Sequence, residues 1–147
     1  MSGVVRQASE ADAARFVELA LRFYAEEGAR RADPRALARF AFAQIFERNR
    51  VLLAAKEPAV AVLAGMIAPH YLTGEPTAFK TAWYAQPGAR GYGASLLRAF
   101  EAWAIEKGAT RLLVAGRMPR TLTLLERLRF QPLETVYAKD LPWQKQQ

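Results

Sequence analysis

The residues from Thr77 to Ala115 constrain the fold of this chain most, because the hydrophobic period changes twice within them. Thr77 to Ala85 (TAFKTAWYA) has the aromatic and Thr content of a strand. Gln86-Pro87-Gly88-Ala89-Arg90-Gly91-Tyr92-Gly93 is a glycine-rich loop. Leu96, Leu97, Phe100, Trp103 and Ala104 then share one side of an amphipathic helix that Gly108 stops. Arg111 to Ala115 reads as a short strand. Strand, glycine loop, helix and strand in succession make a βαβ-like core.

The flanking sequence predicts the rest of one sheet. Val4-Val5-Arg6 starts as an edge strand, and Ser9-Glu10-Ala11-Asp12 reads as a capping box. Phe16, Leu19, Ala20 and Phe23 then mark a helix ended by Gly28. Asp33 as N-cap with Pro34 behind it starts a second helix, whose buried stripe is Leu37, Phe40, Ala41 and Ile45. Val51 to Ala55, Ala59 to Ala68 and Thr77 to Ala85, joined by turns at Lys56-Glu57-Pro58 and Leu72 to Pro76, form an antiparallel meander. Thr121 to Leu128 reads as a helix and Pro132 to Leu141 as a last strand, with 142–147 a frayed tail. The expected order is β-α-α-β-β-β-loop-α-β-α-β, an α+β class with a mixed sheet. No linker interrupts it, so residues 1–147 are expected to form one domain.

Composition removes several kinds of chemistry. With 52% hydrophobic and 24% charged residues the chain is globular rather than disordered. It has no Cys, so disulfides, thiolate nucleophiles and Cys-ligated zinc are excluded. His70 is the only histidine, which excludes a multi-His metal site, and no metal is expected. Lys56, Glu57 and Pro58 interrupt the longest apolar stretch, so no membrane partner is expected. The N-terminus has no apolar signal core, and the expected location is cytoplasmic. The net charge of +7, mostly from arginine, suits a polyanionic partner without saying which.

The glycine loop has a physical use. A helix N-terminus presents unbonded N–H groups and about half a positive charge. Glycines ahead of it let a phosphate approach the backbone, and Arg90 adds a permanent cation with fork geometry. Residues Arg90 to Leu96 are therefore a candidate pyrophosphate cradle, with an ordinary tight turn as the alternative. There is no G-x-x-x-x-G-K-[ST], and Leu96 stands where the third Gly of G-x-G-x-x-G belongs, so P-loop and Rossmann readings fail.

The segment Trp83-Tyr84-Ala85-Gln86-Pro87-Gly88-Ala89-Arg90-Gly91-Tyr92-Gly93-Ala94-Ser95-Leu96-Leu97 resembles the acyl-CoA motif of the GNAT superfamily of N-acyltransferases. Leu124 to Phe130 is similar to that family's F-Y-E-K-L-G-F segment, and the element order agrees from Val4 to Leu141. His70 to Tyr84 is faintly similar to phage-encoded members. The resemblance implies a mixed, mostly antiparallel sheet, splayed where acetyl-CoA binds and flanked by helices. It implies that backbone N–H groups of Arg90, Gly91, Tyr92, Gly93, Ala94, Ser95 and Leu96 hold the pyrophosphate. The strand at Trp83, Tyr84 and Ala85 would bond the pantetheine, and one of its N–H groups would polarise the thioester carbonyl. An amine would attack directly, which needs no Cys.

The sequence departs from the family at three places. Ser95 takes the third small position of the glycine motif, and Arg129 replaces the usual Gly before Phe130, where left-handed geometry would carry strain. Leu125 stands where many members have the Tyr that protonates the departing thiolate. General-acid help is worth about 10²–10⁴-fold, so its loss should slow the reaction without forbidding it. Tyr84, Tyr92 or Tyr137 could substitute. The meander strand also lacks the family's carboxylate, which leaves His70 and Glu75 as candidate bases, each alternatively a hydrogen-bonded turn residue.

Two basic clusters remain: Arg30, Arg31, Arg35, Arg39, Arg48 and Arg50, and Arg111, Arg117, Arg120, Arg127 and Arg129. They read as solvated faces or as anion sites, with Arg120 and Arg98 as candidate CoA-phosphate partners. Phe40, Phe42 and Phe46 either line an acceptor pocket or pack in the core. Three readings follow: an acetyl-CoA-dependent N-acetyltransferase for a small-molecule or peptide amine, a non-catalytic acyl-CoA-binding relative, or a basic nucleic-acid-binding or assembly protein. The family resemblance also raises a homodimer.

Overall fold

The computed structural model describes residues 4–27 and 31–142, and the chain divides into two compact units, Met1–Ala115 and Gly116–Gln147. Gly28, Arg30 and residues 143–147 of the expected tail lie outside the described residues.

The first unit is a five-stranded sheet with three helices. Its elements are β1 (Val5–Gln7), α1 (Ala13–Glu27), α2 (Pro34–Phe46), β2 (Arg50–Ala55), β3 (Ala61–Pro69), β4 (Pro76–Ala85), α3 (Gly93–Glu106) and β5 (Arg111–Leu113). The strands lie in chain order; the first three pairings are antiparallel and β4–β5 is parallel. This is the mixed, mostly antiparallel sheet expected from the sequence, with β1 at one edge.

Helix starts follow local chemistry. Asp33 caps α2 by accepting the Arg35 N–H at 3.0 Å, and Pro34 is the first helical residue. Before α1 the chain makes a 3-10 turn at Glu10–Asp12, where the Ser9 N–H donates to Asp12 Oδ2 at 2.8 Å. Arg6 on β1 donates twice to the same carboxylate, at 2.7 and 2.9 Å. The edge strand and the start of α1 are thereby tied together.

One face of the sheet (Leu52, Ala54, Val62, Ala64, Ala82, Tyr84) packs with Phe16, Leu19 and Ala20 of α1 and Ala41 of α2. Leu37, Phe40 and Ile45 of the expected stripe are only half-buried against this core. Gln44 is the fully buried polar residue of α2; its amide donates to the Val51 and Gly65 carbonyls at 3.0 and 2.8 Å. These two bonds pin α2 to β2 and β3, because a buried amide must find partners. The opposite face carries α3, with Leu96, Leu97, Phe100, Trp103 and Ala104 buried as its periodicity predicts.

The second unit contains α4 (Pro119–Arg127), on which Leu125 is buried. Its end is closed by Arg129 N–H to Glu126 O and Phe130 N–H to Leu125 O. Arg129 has φ 70°, so the non-glycine residue adopts the left-handed geometry and carries its cost. The expected strand over Pro132–Leu141 does not form: residues 131–142 have no regular structure, and Leu133, Val136, Tyr137 and Leu141 are exposed. The described residues of this unit contain no other strand, and a lone strand leaves its backbone groups unpaired.

Candidate functional site

The site is built where β4 leaves its neighbour. β4 pairs with β5 only at Thr77, Ala78 and Phe79, against Arg111, Leu112 and Leu113. From Lys80 to Ala85 that edge of β4 has no strand partner among the described residues. A β-bulge between Ala64 and Gly65 of β3 leaves Thr81 without a partner just where the splay begins. Backbone groups along the free edge of β4 are available to an extended ligand, the strand-addition mode of recognition.

The free edge ends in the glycine loop. Gly88 takes φ 84°, which turns the chain into a 3-10 turn at Arg90–Tyr92 that runs directly into α3. Of the expected cradle, the Tyr92 N–H bonds the Ala89 carbonyl at 3.2 Å and the Gly93 N–H bonds the Arg90 carbonyl. The N–H groups of Arg90 and Gly91 have no backbone partner among the described residues, and the Arg90 side chain is exposed. A Cβ on Gly91 would meet nothing within 4 Å, so open space lies before this turn. Ala94 and Ser95 fall in the first turn of α3 and Leu96 is fully buried, so Leu96 can offer only its backbone. Free N–H groups, a helix dipole and an arginine around open space fit a diphosphate.

The loop is held from behind by Arg15 of α1. Its Nε donates to Ala59 O at 2.7 Å, one terminal nitrogen binds Glu18 at 2.9 Å, and the other binds the Gln86 side chain. The Gln86 N–H also donates to Val60 O at 2.9 Å. The β2–β3 turn and the loop entrance are therefore one fixed body.

The candidate catalytic residues do not converge. His70 and Glu75 share the β3–β4 turn, where the His70 N–H bonds Glu75 O at 2.9 Å. His70 Nδ1 accepts from the Leu72 and Thr73 N–H groups at 3.2 and 3.4 Å, and its ring stacks on Tyr71. The lone pair that a neutral imidazole could use as a base is engaged in the turn, with the proton assigned to Nε2 by that bonding. Glu75 Oε2 accepts from Thr110 Oγ1 at 2.7 Å. Ten residues of β4 at about 3.3 Å each separate this turn from the loop.

Tyr84 lies at the loop end of β4 but is buried against α1. Its hydroxyl is 3.3 Å from that of Tyr24, and its ring packs on Phe16 and Phe23. Burial, reinforced by Tyr24, raises its pKa well above the ordinary phenol value. Trp83 is half-buried opposite Leu63, and Ala85 is exposed at the strand end. Tyr137 is exposed in the second unit, and Arg120 is the second residue of α4. Phe40 stacks on Phe16 in the core at 5.6 Å, whereas Phe42 and Phe46 stack on each other beside an open depression on α2.

Two residues had no signal in the sequence. Lys80 is half-buried beside the bulge, and burial lowers its pKa. Gly65, opposite it, admits the Phe100 ring. Among the described residues no group of three or more His, Cys, Asp or Glu could hold a metal, and no helix is long and apolar enough to cross a membrane.

Neither a protein-family model nor a curated protein matches the chain. Solved structures do. A predicted acetyltransferase from Clostridium acetobutylicum, solved with acetyl-CoA, is 20% identical over 92% of this chain and 94% of its own, with a TM-score of 0.74. The aminoglycoside antibiotic 6'-N-acetyltransferase of Acinetobacter haemolyticus is 21% identical over 94% and 99%, with a TM-score of 0.68. A transcriptional regulator from Bacillus halodurans C-125 is 22% identical over 93% and 98%, with a TM-score of 0.77. At these identities the likeness is one of fold. The chain has the fold of the GNAT acyltransferases, as its glycine motif implied.

Proposed function

We propose that this protein is an acetyl-CoA-dependent N-acetyltransferase acting on a primary amine. The observation that carries the reading is the splay of β4 from β5, which ends at a glycine turn with two unbonded N–H groups and the exposed Arg90. The same fold in a neighbour solved with acetyl-CoA supports it.

In this reading the Arg90 and Gly91 N–H groups and the start of α3 hold the diphosphate. The free edge of β4 aligns the pantetheine by strand-like bonds, and a β4 N–H near the bulge polarises the thioester carbonyl. The amine nitrogen attacks that carbon in a ternary complex; the C–N bond forms, the C–S bond breaks, the thiolate leaves, and the proton lost from nitrogen passes to solvent. With Leu125 at the usual acid position the thiolate departs unprotonated, which a thiol pKa near 8.5 tolerates. The β4 strand supplies no carboxylate base, so the amine must arrive largely deprotonated and turnover should rise with pH.

The test is thiol release from acetyl-CoA with a panel of primary amines, together with the mass of the product. Amine-dependent thiol release with an acetylated amine supports the reading. Acetyl-CoA binding without turnover on any amine favours the non-catalytic relative, a reading that the missing carboxylate and the regulator of the same fold also support.

A further inference from the structure

The β2–β3 turn brings a second cation to the glycine loop. Ala55 pairs with Ala61, and Ala61 pairs with Ala85, so the turn at residues 56–60 lies beside the end of β4 that enters the loop. Arg15 bonds both Ala59 and Gln86, which fixes the turn and the loop to each other. Within the turn, the Lys56 N–H bonds Val4 O at 2.9 Å and its carbonyl accepts from Arg6 at 2.8 Å. Lys56 is thus held at both backbone groups in a left-handed conformation, φ 66°. Its Nζ lies 5.8 Å from the centre of the Tyr92 ring, in the turn that opens α3.

The charges around this point divide unevenly. Arg6 is taken by Asp12, and Arg15 by Glu18, Ala59 and Gln86. Glu57, next in sequence, adds its field to Arg6. Lys56 and Arg90 have no carboxylate partner among the described residues, and both are exposed. Lys56 and Arg90 thus bring unpaired positive charge to the turn in which the Arg90 and Gly91 N–H groups are also unbonded. A lysine ammonium carries three donors and a compact charge, and its reach is set by a flexible stem.

Resting on the acetyl-CoA reading above, we propose that Lys56 is a phosphate-binding residue of that site, contributed by the β2–β3 turn and guided by the Tyr92 ring. Its ammonium and the Arg90 guanidinium would share the phosphates of the cosubstrate. The diphosphate and the ribose phosphate offer the same chemistry, and the experiment separates them.

The experiment is calorimetric titration of the full chain with acetyl-CoA and with its 3'-dephospho analogue, for wild type, Lys56→Met and Lys56→Arg. Charge-assisted bonds of this kind predict roughly tenfold weaker acetyl-CoA binding for Lys56→Met, with most affinity kept by Lys56→Arg. Thermal stability should be unchanged, and the salt dependence of binding shallower in Lys56→Met. If the loss persists with the dephospho analogue, the diphosphate is the partner; if it vanishes, the ribose phosphate is. Binding by Lys56→Met within twofold of wild type, at the same salt dependence, overturns the proposal. So does an equal loss in Lys56→Arg with lowered stability, which marks a purely structural lysine. Absence of binding by the wild type overturns the acetyl-CoA reading itself and this proposal with it.

Discussion

Gly65 of β3 lies directly beneath the Phe100 ring of α3. A Cβ built there would overlap the ring and stand 2.9 Å from the Phe79 carbonyl oxygen. The backbone oxygen cannot swing aside as a side chain can. Gly65→Ala should therefore cost about 1–3 kcal/mol, the usual range for overpacking, read as a lower midpoint in denaturant. Gly65→Ala combined with Phe100→Leu should cost less than the sum of the two single changes.

The Arg6–Asp12 pair predicts an acid-side loss of stability. The Arg6 guanidinium, donating to Asp12, holds that carboxyl below its ordinary pKa of 3.8 against the opposing effect of burial. Below the unfolded pKa the unfolded chain binds more protons than the folded one. The contribution is therefore present above the unfolded value and is lost as pH falls through the folded one. Chemical denaturation between about pH 5 and pH 2 should show this slope, and Asp12→Asn should flatten it while lowering neutral-pH stability by about 1–3 kcal/mol.

Lys80 should behave in the opposite sense. Burial depresses its pKa, so its protonated form is the one the fold disfavours, and its contribution improves as pH rises toward the unfolded lysine value. Lys80→Met should raise stability at neutral pH by about 0.5–1 kcal/mol, checked by thermal unfolding. If turnover falls while stability rises, the lysine is kept for the reaction beside the bulge.

The placement of His70 and Glu75 predicts little effect on turnover. If the thioester lies near the bulge at Thr81, Glu75 is about 20 Å further along β4. His70→Gln and Glu75→Gln should leave kcat/KM within about threefold and weaken the turn instead. A loss of more than tenfold in kcat/KM, with the acid limb of the pH profile removed, would restore either residue as the base.

What the sequence disclosed follows from how local each signal is. Asp33-Pro34 and the change from strand to loop to helix at Gln86–Gly93 are set by neighbouring residues, so both were legible. Gln44, Gly65 and Lys80 act on residues distant in the chain, and nothing near them in sequence marks a buried amide, a ring overhead or a desolvated ammonium. Pro132 to Leu141 has strand-like composition, but the described residues of its unit hold no strand to pair with it. The candidate cradle rests in the sequence on Arg90 and the glycines, and only the structure separates the unbonded N–H groups of Arg90 and Gly91 from the bonded ones of Tyr92 and Gly93. Catalytic candidates were the least legible, because a base or acid is defined by where it lies relative to the reacting carbon.

The most direct test of the account is a calorimetric titration of acetyl-CoA into wild type and Gly91→Glu. The added side chain enters open space, so the variant should fold, while its carboxylate should repel the diphosphate. The account predicts saturable binding by the wild type and a loss of at least tenfold in the variant. Equal affinity in the two proteins, or no binding by either, would contradict it.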